Sequence, residues 1–207
     1  MEINTETEKI VNINPFYEKI IHDIINSEDL KQRLEIINTN YNNLKQENLI
    51  RNYILEKLND YFNKEGLQHL KAFAEHPRIN LSRVDLSIVD MNDKENPYKI
   101  EFKYQFSGDN KNMTNYGHVI TKDFKDRKSS LFILIIAQWD KSHKREFDLK
   151  WGITSKLNRY ISKSNDCKQN IKNTFQTFSN SELVEYEEIK IEKPFNMEYH
   201  FYVLKRV

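Results

Sequence analysis

The middle of the 207-residue chain contains two segments in which apolar and polar residues alternate: RVDLSIV at positions 83–89 and YKIEFKYQF at positions 98–106. Successive side chains of a strand point to opposite faces, so each segment predicts a strand with one apolar and one polar face. Residues 90–97, between them, contain two Asp, two Asn and one Pro and predict a turn. The two segments therefore predict an antiparallel hairpin whose polar face carries Asp85, Glu101 and Lys103.

Patterns on both sides of this hairpin predict the remaining elements. Apolar residues at helical spacing predict helices over residues 15–38, divided into two short helices at positions 26–29, and over residues 41–63, 116–128 and, more weakly, 151–177. Further strands are predicted over residues 70–74, 131–137 and 199–204. The charged residues 140–150 predict a loop between Trp139 and Trp151. We expect the two tryptophans to anchor this loop to the core; the alternative is that they stack on nucleic-acid bases.

These elements predict an α/β fold of the α+β kind. Residues 131–137 are apolar on both faces, as in a central strand covered by helices on each side. We therefore expect a three-layer sandwich in which a mixed central sheet is flanked by helices, with extra helices at the N-terminus. The length suits one sizeable core, so residues 1–40 are expected to form a helical extension packed on a single domain of residues 41–207.

Composition limits the kinds of site and the cellular location that we expect. Cys167 is the only cysteine, which excludes an intramolecular disulfide and a thiolate zinc site. The longest apolar run, residues 131–137, is far shorter than the roughly 20 residues that cross a bilayer. The first residues are acidic and polar, unlike a signal peptide, so a cytoplasmic location without membrane contact is expected.

Charge is unevenly distributed, although the net charge is only +1. Residues 141–172 contain nine Lys or Arg against three Asp or Glu, and residues 181–198 contain six acidic residues against two basic ones. A basic segment of this kind suits a phosphate backbone, but a solvated helix face has the same composition. The residues that we expect to bind nucleic acid, if the first interpretation holds, are Lys156, Arg159 and Lys163.

The polar face of the hairpin suggests a chemistry. If the strands are neighbours, Asp85, Glu101 and Lys103 lie on one side of the sheet. Carboxylate oxygens hold Mg²⁺, which polarises a phosphoryl oxygen and lowers the pKa of a bound water. A lysine beside it orients that water and offsets charge on the phosphate. The alternative is that these residues are the ordinary wet face of a half-exposed strand, where Glu and Lys pair with each other.

Glu47 is a further acidic candidate. In the predicted helix over residues 41–63, helical phase places it on the apolar stripe that contains Ile50 and Ile54, whereas Glu56 falls on the opposite face. A charge on the buried side of a helix is costly unless a metal or a lysine compensates it. Alternatively, Glu47 lies in the first turn of the helix, where the helix dipole stabilises it and water reaches it.

The order of these motifs resembles the PD-(D/E)xK nuclease superfamily over positions 47 to about 137: a helix with Glu47, a strand, Arg83-Val84-Asp85-Leu86, and then Ile100-Glu101-Phe102-Lys103. Val84 stands where the pattern has proline. The resemblance implies a restriction endonuclease-like fold with Asp85 and Glu101 as metal ligands and catalytic residues, and with Lys103 as the catalytic lysine. It also implies a third metal ligand, Glu47, and two supporting residues, Glu75 and Gln105, of which Glu75 is alternatively a surface charge.

The function implied by the resemblance is a nuclease that uses Mg²⁺, for which Mn²⁺ substitutes, and that acts on nucleic acid, with DNA favoured over RNA. A homodimer is compatible with this class. The alternative from a different class is a catalytically silent module on the same fold that binds nucleic acid or another protein.

Overall fold

The computed structural model describes residues 12–79, 82–106, 116–153 and 165–207. Its helices are α1 (Pro15–Ile25), α2 (Glu28–Tyr41), α3 (Glu47–Lys64), α4 (Tyr116–Ile120), a π-helix that continues α4 (Thr121–Asp126), α5 (Lys141–Trp151) and α6 (Asn165–Phe175). Its strands are β1 (Leu70–Ala74), β2 (Arg78–Ile79), β3 (Ser82–Arg83), β4 (Leu86–Asp90), β5 (Asp93–Phe106), β6 (Leu131–Trp139), β7 (Ser181–Glu185), β8 (Ile189–Ile191) and β9 (Met197–Arg206).

Seven of the strands form one mixed sheet in the order β1-β4-β5-β6-β9-β7, and β8 pairs with β9 beside β7. Only β5 and β6 run parallel, and their neighbours are antiparallel. β2 and β3 form a separate two-stranded ribbon. The predicted mixed sheet with helices, an α+β architecture, is confirmed. No helix in the described ranges is long and apolar enough to cross a membrane.

Strand β6 divides the core, because all of its residues are buried and those from Leu131 to Ala137 alternate between two hydrophobic clusters. Ile133 and Ile135 pack in the cluster that contains the apolar residues of α1, α2 and α3. Phe132 and Leu134 pack on the other face, with apolar residues of α4, the π-helix and α6. The sequence pattern of residues 131–137 thus correctly predicted a strand covered on both faces.

The N-terminal helices lie on the first of these faces. Ile25, Leu30 and Leu34 are fully buried in the cluster that also contains the sheet residues. The break between α1 and α2 occurs where the sequence predicted it, because the Ser27 hydroxyl accepts a hydrogen bond from the N–H of Leu30 at 3.2 Å and begins the new helix. Residues 1–11 of the predicted extension lie outside the described residues.

The hairpin is present, but its predicted eight-residue turn is wrong. β4 ends at Asp90 and β5 already begins at Asp93, and the Asp90 carboxylate closes the turn by accepting the N–H of Asn92 at 2.8 Å. Pro97 is tolerated inside β5 because β6 pairs with β5 only from Ile100 onward, so its missing N–H removes no bond to β6.

Two other expectations need correction. The predicted helix over residues 41–63 begins at Glu47, after α2 has continued to Tyr41. The predicted loop over residues 140–150 is helix α5, which the Asp140 carboxylate begins by accepting the N–H groups of Ser142 and His143, and which Gly152 ends at φ +63°. Its charged sequence has no apolar stripe, so periodicity did not detect it.

Candidate functional site

Asp85 lies directly before β4, at the point where the hairpin opens. Leu86 pairs with Ile100, so the antiparallel register places Asp85 across from Glu101. Beyond Ile100 the β4-facing edge of β5 has no strand partner in the described part of the chain. The Asp85 carboxylate occupies this edge, where its Oδ2 accepts the N–H of Phe102 at 2.8 Å.

Glu47 reaches the same edge from the helical layer. It is the first residue of α3, and its Oε2 accepts the N–H of Tyr104 at 2.8 Å, two residues beyond the contact of Asp85. Its carboxylate therefore turns toward the sheet, although it also lies in the first helical turn. Burial raises the pKa of Glu47 and the charge of Asp85 adds to the rise, whereas the nearby Lys103 lowers it.

The start of α3 is fixed by a buried hydrogen bond. Gln46, which is fully buried at the N-cap, accepts the hydroxyl of Tyr199 through its Oε1 at 2.6 Å. Tyr199 lies on β9, two strands from β5. This bond joins the start of the helix to the sheet at the residue before Glu47.

Glu101 is the most buried of the predicted ligands, with 1% of its side chain exposed. Burial raises its pKa to about 8, and the negative charge of Asp85 contributes to the rise. Arg127 opposes this rise in pKa, since its Nη1 lies 2.8 Å from Glu101 Oε1. The same Nη1 lies 3.2 Å from Asp123 Oδ1. Burial also raises the pKa of Asp123, an effect that the charges of Arg127 and Lys103 oppose.

Sequence reasoning did not identify Asp123 and Arg127. They belong to a segment predicted as a plain helix, in which part of the backbone is π-helical and the α-helical phase does not hold. The signal that the sequence offered was an acid and a base four residues apart, which is common on any helix surface.

Lys103 is half-buried on the same face of β5 as Glu101 and makes no ion pair within the described part of the chain. Its positive charge nevertheless lowers the pKa of both Glu47 and Asp123, so the ammonium lies within the same group. The full group comprises four carboxylates and two cations: Glu47, Asp85, Glu101, Asp123, Lys103 and Arg127. Its formal charge is therefore −2 when all are ionised.

This group suits a hard divalent cation. The donors are carboxylate oxygens, and in the described ranges only one oxygen of Asp85 and one of Glu47 accept a hydrogen bond, which leaves Oδ1 and Oε1 available. The ligand atoms of Glu47, Asp85 and Glu101 do not all come within 4.8 Å of one another. Arg127 Nη1 contacts the Glu101 carboxylate, and the N–H groups of Phe102 and Tyr104 contact those of Asp85 and Glu47. Mg²⁺ commonly needs only one or two carboxylates together with water.

The two supporting residues have different surroundings. Glu75 adopts a positive φ of 54°, and its N–H donates to the Asp85 carbonyl at 2.9 Å, so its backbone fixes Asp85. Its carboxylate lies 2.9 Å from Arg83 and 3.8 Å from Arg51. Gln105 is half-buried, and its buried Oε1 has no hydrogen-bond partner among the described residues.

Residues 141–172 expose fewer positive charges than their nine Lys and Arg residues suggest. Lys156, Arg159 and Lys163 lie outside the described residues. Lys144 is fully buried, pairs with Asp148 and donates to Asn43 Oδ1 at 3.1 Å, so it cannot contact a phosphate backbone. Lys172 is 3.0 Å from Glu185. Charge counted along the sequence therefore overstates the cationic surface.

A second cluster of metal-ligand types lies near β8 and β9. Glu188, Glu198 and His200 have ligand atoms within 4.8 Å of one another, and they are the one such trio in the ranges that the structure describes. None of them belongs to the predicted metal set.

Comparison of the chain with protein-family models, with curated proteins and with solved structures finds no match.

Proposed function

We propose that this protein is a metal-dependent nuclease of the restriction endonuclease-like type, which hydrolyses phosphodiester bonds in nucleic acid, with DNA favoured over RNA. The observation that carries the proposal is the gathering of Asp85, Glu47, Glu101 and Lys103 around the open edge of β5. Asp85 precedes β4, Glu101 and Lys103 lie on β5, and Glu47 begins α3. Glu47 is distant in sequence from the other three, so its proximity to them is a property of the fold.

The residues divide the chemistry between them. Asp85 and Glu101, with Glu47 as a third ligand, would hold Mg²⁺ or Mn²⁺, which when bound polarises the phosphoryl group and acidifies water. The backbone N–H groups of Phe102 and Tyr104 hold two of these carboxylates in place before any ion arrives. Lys103 brings an ammonium, which donates hydrogen bonds to the attacking water and to the phosphate.

The reaction adds water across one P–O bond. The water oxygen bonds to phosphorus, the bond from phosphorus to one sugar oxygen breaks, and one proton of the water ends on that sugar oxygen. Lys103 offsets the charge that builds on the phosphate during this exchange.

The test is a cleavage assay with matched variants. Purified wild-type protein is incubated with plasmid DNA, single-stranded DNA and RNA in Mg²⁺, Mn²⁺ or EDTA, beside Asp85→Asn and Asp90→Asn. Asp90 is the control because it lies at the other end of β4 and caps the hairpin turn, which an asparagine also does. We expect wild type and Asp90→Asn to cleave with metal and Asp85→Asn to be inactive. Metal-dependent cleavage by Asp85→Asn, or none by wild type, would refute the proposal.

A second candidate function rests on the Arg127–Glu101 ion pair. Arg127 satisfies the buried Glu101 carboxylate without a metal, as expected in a silent module that keeps the fold and binds nucleic acid or protein. The same assay separates the two functions when labelled DNA is also scored for retention. A silent module cleaves nothing in any metal, and it retains DNA only if its ligand is nucleic acid.

A further inference from the structure

Arg127 lies directly after the π-helix, beside the proposed catalytic carboxylates. Its N–H donates to the Lys122 carbonyl at 3.3 Å, five residues back, which is the π-helical pattern. Phe124 in this turn is 1% exposed, and the Arg206 guanidinium lies 4.2 Å from its ring centroid. The turn is thus anchored in the core, and π-helical turns in proteins occur frequently at functional sites.

The Arg127 guanidinium uses one of its three nitrogens in ion pairs with described residues. Nη1 makes both ion pairs, with Glu101 and Asp123, whereas Nη2 and Nε have no acceptor within the residues that the structure describes. The side chain is 24% exposed. A guanidinium has five N–H donors in a fixed fork, so the donors not used here are available to a ligand next to Glu101.

We propose that Arg127 is a catalytic residue that contacts the scissile phosphate; this inference rests on the proposed nuclease function. Glu101 and Asp123 fix the Nη1 side of the guanidinium. The donors on Nη2 and Nε form the fork that binds the phosphate. Such a fork matches two phosphate oxygens at once, which the single ammonium of Lys103 does not. The donors stabilise charge on the phosphate oxygens as the P–O bond breaks.

The decisive variant is Arg127→Lys, because a lysine keeps a positive charge for Glu101 but loses the fork. Arg206→Lys is the matched control, since Arg206 supports the same π-helix through Phe124 without an ion pair to the site in the described residues. Arg127→Gln is the second variant. Each protein is measured for single-turnover cleavage, for affinity for inorganic phosphate and Mn²⁺ by calorimetry, and for thermal unfolding.

We expect Arg127→Lys to bind Mn²⁺ like wild type, to cleave about 100-fold more slowly and to bind inorganic phosphate about 10-fold more weakly. Arg127→Gln should lose at least as much, and Arg206→Lys should cleave at the wild-type rate. If Arg127→Lys cleaves and binds phosphate like wild type, the inference is overturned and the nuclease proposal stands. Equal losses in Arg127→Lys and Arg206→Lys also overturn it, because the arginine then acts only through the helix. A wild-type protein without cleavage overturns both.

Discussion

The buried Glu101 carboxyl makes the stability of the fold depend on pH. Its pKa of about 8 in the folded protein, against 4.5 ordinarily, means that the folded state holds this proton more tightly than the unfolded chain. Stability therefore falls as pH rises above about 4.5 and levels off above about 8. At about 1.4 kcal/mol per pKa unit, the total loss in free energy of unfolding is roughly 5 kcal/mol. About 3 kcal/mol of that loss has occurred by pH 7.

Replacement of Glu101 by Gln removes the charge and keeps the shape. We expect Glu101→Gln to match wild type at pH 5, where Glu101 is protonated, and to exceed its free energy of unfolding by about 3 to 5 kcal/mol at pH 9. Urea denaturation at pH 5, 7 and 9 measures this difference. Glu56→Gln, on the exposed face of α3, is the control and should follow the wild-type profile. Parallel profiles for wild type and Glu101→Gln would refute the argument.

Three further predictions concern the proposed reaction. Lys103→Ala should abolish cleavage and leave DNA affinity nearly unchanged, because the Lys103 ammonium serves the chemical step. Parallel measurements of cleavage and of DNA binding by anisotropy check this, and cleavage at the wild-type rate would contradict it. Glu47→Gln should weaken Mn²⁺ binding in calorimetry about 10-fold without lowering the free energy of unfolding, since an amide oxygen still accepts the Tyr104 N–H. The last variant neutralises three cations together, Lys156, Arg159 and Lys163. The slope of log affinity for DNA against log salt concentration should then fall by about three units, and an unchanged slope would place these residues away from nucleic acid.

The sequence predicted those parts of the molecule that follow from local periodicity. Helical phase correctly turned Glu47 toward the sheet and Glu56 toward solvent, and strand alternation placed Glu101 and Lys103 on one face. Helix α5 was missed because it has no apolar stripe, although Asp140 and Gly152 are recognisable cap residues.

The remaining features depend on contacts between distant segments. Nothing in the sequence around Lys144 indicates that its ammonium is buried with Asp148 and 5.2 Å from the Phe195 ring, because Phe195 is 51 positions away. Likewise, the pairing of Arg127 with Glu101 joins residues 26 positions apart and depends on a π-helical turn that no residue type specifies. Local pattern places a side chain on a face, and only tertiary packing decides its partner.

The open edge of β5 also bears on how inactive variants should be built. Exposed strand edges recruit other chains, and proteins protect them with charges or covering groups. Asp85 and Glu47 occupy the Phe102 and Tyr104 N–H groups, so they protect this edge against intermolecular strand pairing. Alanine at both positions would uncover two donors on a strand with one apolar face and favour aggregation. Asparagine and glutamine retain an acceptor oxygen, so they remove the charge while keeping the edge closed.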